Sequence, residues 1–407
     1  MRFYFCIALV FCALNSQSQS LDHYLDIGLK NSPLLKEYNL QLQSALIDSL
    51  KVLAGYKPQV GVSSNIMYPT AIWKFAYDSA ITDGGHYSAL VGVNQPLFNK
   101  RFIKAKMESV ALQKLTSLNN QKISETELKE AITSQYLEAF ALQSKVEFEK
   151  SIIRLLNEEK STLKMLVDKG IYNQIDYLNL IVSISSREIE GKQFVMDLKN
   201  NIAMLNLICG IHDTTSVNLI KPEISRRTSF DPASSPLMMQ FRLDSLKNSN
   251  EKLLIDQQYL PRISAFADAG INAISPQRLP YSLGASFGLN FSMPLYDGKQ
   301  KQMDQNKIDL VEQSRKNYKS TYQDLFLQRQ DQLKQQLELN DELMKDISDQ
   351  IINLEKLLTV YKTEINKGLI RWMDYLDIVH NYEETKNKLT EAQITRLTII
   401  TQLNYLK

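Results

Sequence analysis

Lys169-Gly170-Ile171-Tyr172-Asn173-Gln174-Ile175-Asp176-Tyr177-Leu178 is one copy of a phrase that returns 198 positions later as Lys367-Gly368-Leu369-Ile370-Arg371-Trp372-Met373-Asp374-Tyr375-Leu376. In both copies Lys-Gly is followed, after five residues, by Asp-Tyr-Leu. Each copy follows one very long stretch of helix-forming residues and precedes another, so each reads as the tight reversal of a helical hairpin. Gly170 and Gly368 then read as left-handed caps that end the first helix of each hairpin. The chain is a duplicated object.

Other landmarks recur at nearly the same offset, which is the signature of an internal structural repeat. Ser32-Pro33-Leu34 returns as Ser235-Pro236-Leu237 and Pro58 as Pro261, shifted by 203, whereas Pro96-Leu97-Phe98 returns as Pro294-Leu295-Tyr296 and Leu205-Asn206 as Leu403-Asn404, shifted by 198. The five lost residues therefore fall between Pro261 and Pro294. The expected organisation is a signal peptide over 1–20 and a first repeat over 21–220, with a helix, a strand pair at 58–98 and a long helical hairpin at 99–208. A second repeat follows over 221–407, with its strand pair at 261–295 and its hairpin at 298–406.

The signal assignment rests on an apolar run from Phe3 to Leu14, preceded by Arg2 and followed by small and polar residues. Such a run is too short for a spanning helix and has the order of a secretory leader. Its removal takes Cys6 and Cys12 with it and leaves roughly 387 residues with Cys209 as the one cysteine, so no disulfide can form within the mature chain and packing must supply its stability. A net charge of +2 leaves no basic footprint for nucleic acid. His23, His86, His212 and His380 are scattered without metal-ligand spacing. Neither a metal nor a cofactor is expected. Gly284-Ala285-Ser286-Phe287-Gly288 fits the G-x-S-x-G pattern of serine hydrolases, but it lies inside a two-residue alternation and not at a strand-to-helix turn, so it reads as chance. No enzyme is expected.

Leu21 to Ala54 reads as helix, interrupted once at Pro33. From Pro58 alternation replaces helical spacing: Val60, Val62, Ser64, Ile66 and Tyr68 share one face, and a turn at Asp83-Gly84-Gly85 leads to a second strand with Tyr87, Ala89, Val91 and Val93 on one face. In the second half Ile263, Ala265, Ala267, Ala269 and Ile271 alternate, followed by the clearest strand of the chain. There Tyr281, Leu283, Ala285, Phe287, Leu289 and Phe291, with Met293 after them on the same strand, alternate with Ser282, Gly284, Ser286, Gly288, Asn290 and Ser292, an apolar face against a small or polar one. That is the pattern of a transmembrane β-strand, and it assigns those six apolar positions to lipid.

Asn99 to Lys169 contains neither glycine nor proline over 71 residues, and Lys299 to Lys367 neither over 69. At 1.5 Å per residue an unbroken helix of that size is roughly 100 Å long. Met344, Ile347, Ile351, Leu354, Leu358 and Tyr361 fall at alternating spacings of three and four, a coiled-coil seam. Apart from the leader no segment reads as a membrane-spanning helix, so any spanning falls to the strands. Four strands cannot close a barrel, because the smallest use about eight; open edges are not tolerated in hydrocarbon, and chains would have to pool strands, three copies giving twelve.

The phrases Asn94-Gln95-Pro96-Leu97-Phe98 and Met293-Pro294-Leu295-Tyr296-Asp297-Gly298 after a strand, together with the two Lys-Gly-x5-Asp-Tyr-Leu reversals, resemble the outer-membrane efflux protein family, the TolC-like channels. The resemblance covers essentially the whole mature chain and rests on duplicated order and spacing. It implies a mainly α protein with a small β part: a homotrimer in the outer membrane whose chains each give four strands to a shared 12-stranded barrel, and whose helical hairpins form a periplasmic α-barrel. Such a trimer serves as the exit duct of a tripartite efflux or type I secretion system, with a periplasmic adaptor and an inner-membrane pump of RND or ABC type as partners. The rival reading is a secreted or periplasmic coiled-coil adaptor or structural protein without a membrane barrel.

The resemblance also assigns residues. The closed entrance of the family is constricted at the reversals by hydrogen bonds, salt bridges and rings of aspartate. Asp374 and Asp377 occupy the places six and nine after the second glycine, Asp176 the place six after the first, and Asn179 stands where Asp377 stands in the second copy. The tyrosine three before the second glycine and the arginine two after it are replaced here by Ile365 and Ile370, with Arg371 one further on and close enough to pair with an aspartate. Lys169, Gly170, Lys367 and Gly368 form the tips expected to meet the adaptor. The competing reading of Asp176 and Asp374 is plain stabilisation of a helix N-terminus.

Overall fold

A computed structural model describes residues 19–68, 85–97, 100–213, 217–226, 235–365 and 367–406. The leader up to residue 18, Asp83-Gly84 of the expected turn, and Phe98 lie outside the described residues.

Helix α1 (Leu21–Asn31) starts at Ser20, whose hydroxyl accepts the N–H of His23 at 3.4 Å. It stops before Pro33, which has no N–H to continue the ladder, and α2 (Pro33–Ala54) begins there. The glycine- and proline-free stretches form unbroken helices, α3 (Lys100–Asp168, 69 residues) and α6 (Gln300–Ile365, 66 residues), each followed by a shorter one, α4 (Gln174–Ile208) and α7 (Trp372–Asn404). Helix α5 (Pro236–Gln258) carries Ser235 as its N-cap and proline at its first turn, where the missing N–H costs nothing.

Four strands, β1 (Gln59–Met67), β2 (His86–Leu97), β3 (Arg262–Ala273) and β4 (Leu283–Ser292), form one antiparallel sheet in the order β1-β2-β3-β4. The middle pairing joins the two repeats, with Val93 opposite Ala267 and Val91 opposite Ala269. Tyr281, expected on the last strand, lies instead in a short 3-10 turn (Pro276–Tyr281). Pro276 and Pro280 cannot donate to a ladder, so the strand starts two residues later. Tyr68 and Met293 likewise fall just beyond their strands.

The chain divides into two compact units, and each draws on both repeats. One comprises residues up to Leu35, Lys122–Ser234 and Gln323–Lys407; the other comprises Lys36–Gln121 and Ser235–Tyr322 and contains the sheet. In the first unit the antiparallel helices bury separate clusters along their length. Ile132, Tyr136 and Ala139 of α3 meet Ile202 and Leu205 of α4, Leu333 and Leu337 of α6 meet Ile399, Ile400 and Leu403 of α7, and Ile347 and Ile351 meet Ala392. The segment after α4 is clamped to α3 by Gln143, whose side-chain carbonyl accepts the N–H of Leu219 at 2.8 Å while its amide donates to the Leu219 carbonyl at 3.1 Å.

Helix contacts in the second unit are tied by amide side chains bonding across to backbone carbonyls. Asn119 donates to Pro236 at 2.8 Å and Asn250 to Ala105 at 3.0 Å. Glu312 accepts from Ser245, Asn248 and the Arg315 fork, and these donors, Arg315 first, hold its carboxyl down to about 2.

Within the sheet, β2 and β3 approach so closely at Gly270 that an added Cβ would lie 2.2 Å from the Ala89 carbonyl oxygen, whereas one at Gly61 would meet nothing within 4 Å. Gly270→Ala should therefore lower stability by about 1 to 3 kcal/mol through overpacking, and Gly61→Ala by less than about 0.5 kcal/mol. Denaturant unfolding of the two variants side by side checks this; equal midpoints would contradict the close approach.

Candidate functional site

Both reversals close in the same way. Gly170 has φ +74° and Gly368 φ +73°. The N–H of Gly170 bonds to Val167 O at 2.8 Å and that of Ile171 to Leu166 O at 2.9 Å; the N–H of Gly368 bonds to Ile365 O at 2.9 Å and that of Leu369 to Glu364 O at 3.2 Å. These paired bonds satisfy the last carbonyls of α3 and α6, and the left-handed residue between them is the one that glycine reaches without a Cβ penalty. Lys169 and Lys367 sit exposed beside the glycines, with Lys367 Nζ 3.0 Å from Glu364 Oε1.

The two aspartates that follow are alike in position and different in partner. Asp176 reaches back to accept the N–H of Asn173 at 3.1 Å, the carboxylate half of a capping box, so its structure is that of a helix-start residue. Asn173 is replaced by Arg371 in the second copy, and Arg371 donates from Nε to Asp374 Oδ2 at 3.1 Å and from Nη2 to Oδ1 at 2.8 Å. Arg371 is the exposed member of this pair, with Asp374 half-buried and Asp377 exposed one turn further on. An exposed pair within one turn contributes little to stability, and its effect here is to set the charge presented at the reversal.

The reversals pack against each other. A Cβ on Gly368 would lie 2.6 Å from Ile171 Cγ2, while one on Gly170 would meet nothing within 4 Å. Tyr172 shares its hydroxyl proton between the carbonyls of Ile370 (2.8 Å) and Ile365 (3.2 Å), and its ring stands edge-on to fully buried Trp372, which in turn meets Tyr375. Leu163 and Leu166 of α3, Leu180 and Ile184 of α4, Ile365 of α6 and Val379 of α7 complete this core. Two ion pairs join the hairpins, Lys362 Nζ to Glu159 Oε1 and Lys145 Nζ to Glu391 Oε1, each at 2.8 Å. Tyr172 and Trp372 escape a reading of the sequence that looks for repetition. They stand where the copies differ, opposite Ile370 and Gln174, and that loss of symmetry is the signal that could have found them.

The sheet presents the other candidate surface. Its register puts Val62, Val91, Ala269 and Ala285 on one face and in line, with Val60, Val93, Ala267 and Phe287 in the next row. All six positions assigned to lipid are exposed, Phe287 and Tyr281 at 90% and Leu283 at 79%. The opposite face carries Ser63, Asn94 and Asn290, with Ser286 donating to Asp268 at 2.7 Å and the Phe266 ring folded over Gly288. Ser286 thus sits mid-strand and does not form a nucleophile elbow. Among the described residues strands β1 and β4 each have a partner on one side only, so both edges of the sheet are open there. Among the described residues no helix is long and apolar enough to cross a membrane, and no group of three or more metal-ligating side chains is found.

The outer membrane protein VceC of Vibrio cholerae matches 95% of this chain over 95% of its own, with a TM-score of 0.76 and 13% identity. CusC, known for conformational changes that accompany folding and transmembrane channel formation, matches 96% of this chain over 92% of its own at 0.76 and 14%. The open-state MtrE outer membrane channel of Neisseria gonorrhoeae matches 95% of this chain over 88% of its own at 0.71 and 13%. The fold is that of the TolC-like outer-membrane channels. No family model and no curated protein matches the sequence, so the likeness is carried by backbone path and element order. The matched span takes in both helical hairpins and the four-stranded sheet.

The two caps differ in what surrounds them. Alanine at either position meets left-handed strain of about 1 to 2 kcal/mol. Gly368→Ala must in addition displace Ile171, so it should cost more than Gly170→Ala by about 1 kcal/mol or more. Unfolding midpoints of the two variants measure the difference, and equal losses would remove Ile171 from the account.

Proposed function

We propose that the protein is one chain of a trimeric outer-membrane exit duct, which receives substrates from an inner-membrane pump through a periplasmic adaptor and releases them outside the cell. The observation that carries this reading is the sheet. Its apolar face is continuous across four strands and uncovered, and its two edges leave rows of unpaired N–H and C=O groups that hydrocarbon would not tolerate. Edge-to-edge union of copies answers both, with β1 of one copy beside β4 of the next. Three copies give the twelve strands that the resemblance implies, and the face with Ser63, Asn290 and Asp268 turns to the lumen.

Three chains also bring three copies of Asp374 and Asp377 around one axis at the second reversal. Arg371 partly compensates Asp374, so Asp377 is the stronger source of uncompensated charge. Mutual repulsion is only partly screened over a Debye length of about 8 Å, and a ring of carboxylates in a narrow throat favours cations and binds polyvalent ones. Lys169, Gly170, Lys367 and Gly368 at the reversals are the tips offered to the adaptor. The pump is of RND or ABC type in this reading, and nucleic acid is no partner.

Two measurements test the proposal. Phe287→Lys should reduce assembly into membranes, at a cost of about 2 to 4 kcal/mol near the bilayer midplane, while Ser286→Lys on the facing side costs little. Equal tolerance of the two lysines would sink the barrel. Reconstituted into planar bilayers, Asp374→Asn with Asp377→Asn should lower cation selectivity several-fold and abolish block by polyvalent cations, and Arg371→Ser should raise resting conductance. Unchanged selectivity and block would leave the aspartates as helix-end residues only.

A further inference from the structure

Roughly four to six helical turns from the reversals the first unit buries a group of charges. Glu149 of α3 and Glu383 of α7 are almost wholly buried, with side chains 2% and 7% exposed, and Arg187 of α4 lies between them. Arg187 Nη1 makes a close ion pair with Glu383 Oε2 and a longer one, 3.5 Å, with Glu149 Oε1. The carboxyls of Glu149 and Glu383 thus converge on the same guanidinium nitrogen of Arg187. Glu149 and Arg187 belong to one hairpin and Glu383 to the other, so the contact is a tie between hairpins, in addition to Lys362–Glu159 and Lys145–Glu391.

Two buried carboxyls that converge on one guanidinium carry one negative charge too many unless one of them is protonated, and the neutral acid can then donate to its neighbour. With the proton in place the group is Arg⁺, one carboxylate and one neutral acid, and it is neutral. Without it, two buried carboxylates face one guanidinium, and the surplus negative charge is poorly solvated. Burial first, and then the Glu383 carboxylate, push Glu149 up to about 7, against an opposing pull from Arg187.

The remaining charges around it do not replace the proton. Glu190 of α4 adds repulsion, and His380 of α7, largely exposed, touches Arg187 at 3.5 Å and Glu383 at 4.0 Å without facing Glu149. Glu355 of α6 is taken up by Lys386 and Tyr382. Lys150 of α3 and Glu188 and Lys192 of α4 line an open cavity of about 310 Å³ that reaches Glu149. Gly191 forms part of its wall, where an added Cβ would be in ordinary contact with Glu149 Cγ at 3.5 Å, and the open cavity gives the buried acid a route to solvent.

We propose that Glu149, Arg187 and Glu383 form a proton-operated tie between the two helical hairpins, tight while the two carboxyls share a proton and loosened when that proton leaves. The direction follows from linkage. A carboxyl whose value is raised by closure binds its proton more tightly in the closed arrangement, so closure is favoured at low pH and loses ground as pH rises from about 4.5 to about 7, beyond which the loss is complete. The tie stands on helix packing alone, and its failure would leave the channel reading untouched.

Hydrogen exchange of the full-length protein in its native assembly tests it, with rates corrected for intrinsic base catalysis. Peptides of α4 around Arg187 and of α7 around Glu383 should open roughly tenfold more readily on going from about pH 6 to about pH 8, while peptides around Ile132 and Ile202 stay flat. Glu149→Gln, which keeps a donor to Glu383 and cannot ionise, should hold the protection high and independent of pH. His380→Gln should leave the wild-type profile in place. A wild-type profile without pH dependence, one unchanged in Glu149→Gln, or one lost in His380→Gln would overturn the proposal. Infrared difference spectra of the unmodified protein give a reading that needs no variant: a protonated carboxyl band present at about pH 6 and gone by about pH 8 supports the tie, and its absence at the lower pH refutes it.

Discussion

A helix of 69 residues can pack along its own chain only if the backbone reverses within a few residues, and two glycines at positive φ make that possible. The reversal must end the helix, satisfy its last carbonyls and start the next helix antiparallel to it. At Gly170 and Gly368 the same pair of backbone bonds does the first two, and the next helix starts within a few residues. Every cluster buried in the first unit depends on the alignment set there, because Ile132 meets Ile202, and Leu333 meets Ile400, only if the returning helix is in register from its first turn. The duplicated phrase is accordingly the most closely repeated part of the sequence.

Regular elements were legible because their signals are local. Absence of glycine and proline marks α3 and α6, a single proline separates α1 from α2, and alternation marks all four strands and the sidedness of the sheet. The end of β4 nearest the turn lies at Leu283 and not at Tyr281, because Tyr281 belongs to the proline-containing 3-10 turn, although Ser282 still accepts the N–H of Asn272 at 3.1 Å. The seam from Met344 to Tyr361 was legible for the same reason, and the residues along it supply α6 to two of the buried clusters.

What lay beyond a sequence reading is contact between distant segments. Nothing in the spacing announces that Tyr172 bonds to Ile370, that Gln143 clamps Leu219, or that Glu149 and Glu383, 234 positions apart, share a site with Arg187. Charged residues in a long polar helix look alike until packing selects a few of them for burial. Departure from the repeat was the available clue. Arg187 is matched by Thr385, Glu383 by Ser185 and Arg371 by Asn173, so the ionic features of the first unit sit where the second copy of the phrase and its surroundings have diverged from the first.

Among the described residues the first unit has no single hydrophobic core. The buried apolar residues grouped there form four separate clusters strung along the helices, and buried Asn340 stands between two of them along α6. Cooperativity in such a body is a nearest-neighbour matter, as it is in stacked repeats, because a disturbance in one cluster reaches the next only through the helices that join them. One end of a hairpin therefore has the freedom to rearrange while the other end keeps its packing, and substitutions in different clusters act on stability independently of one another.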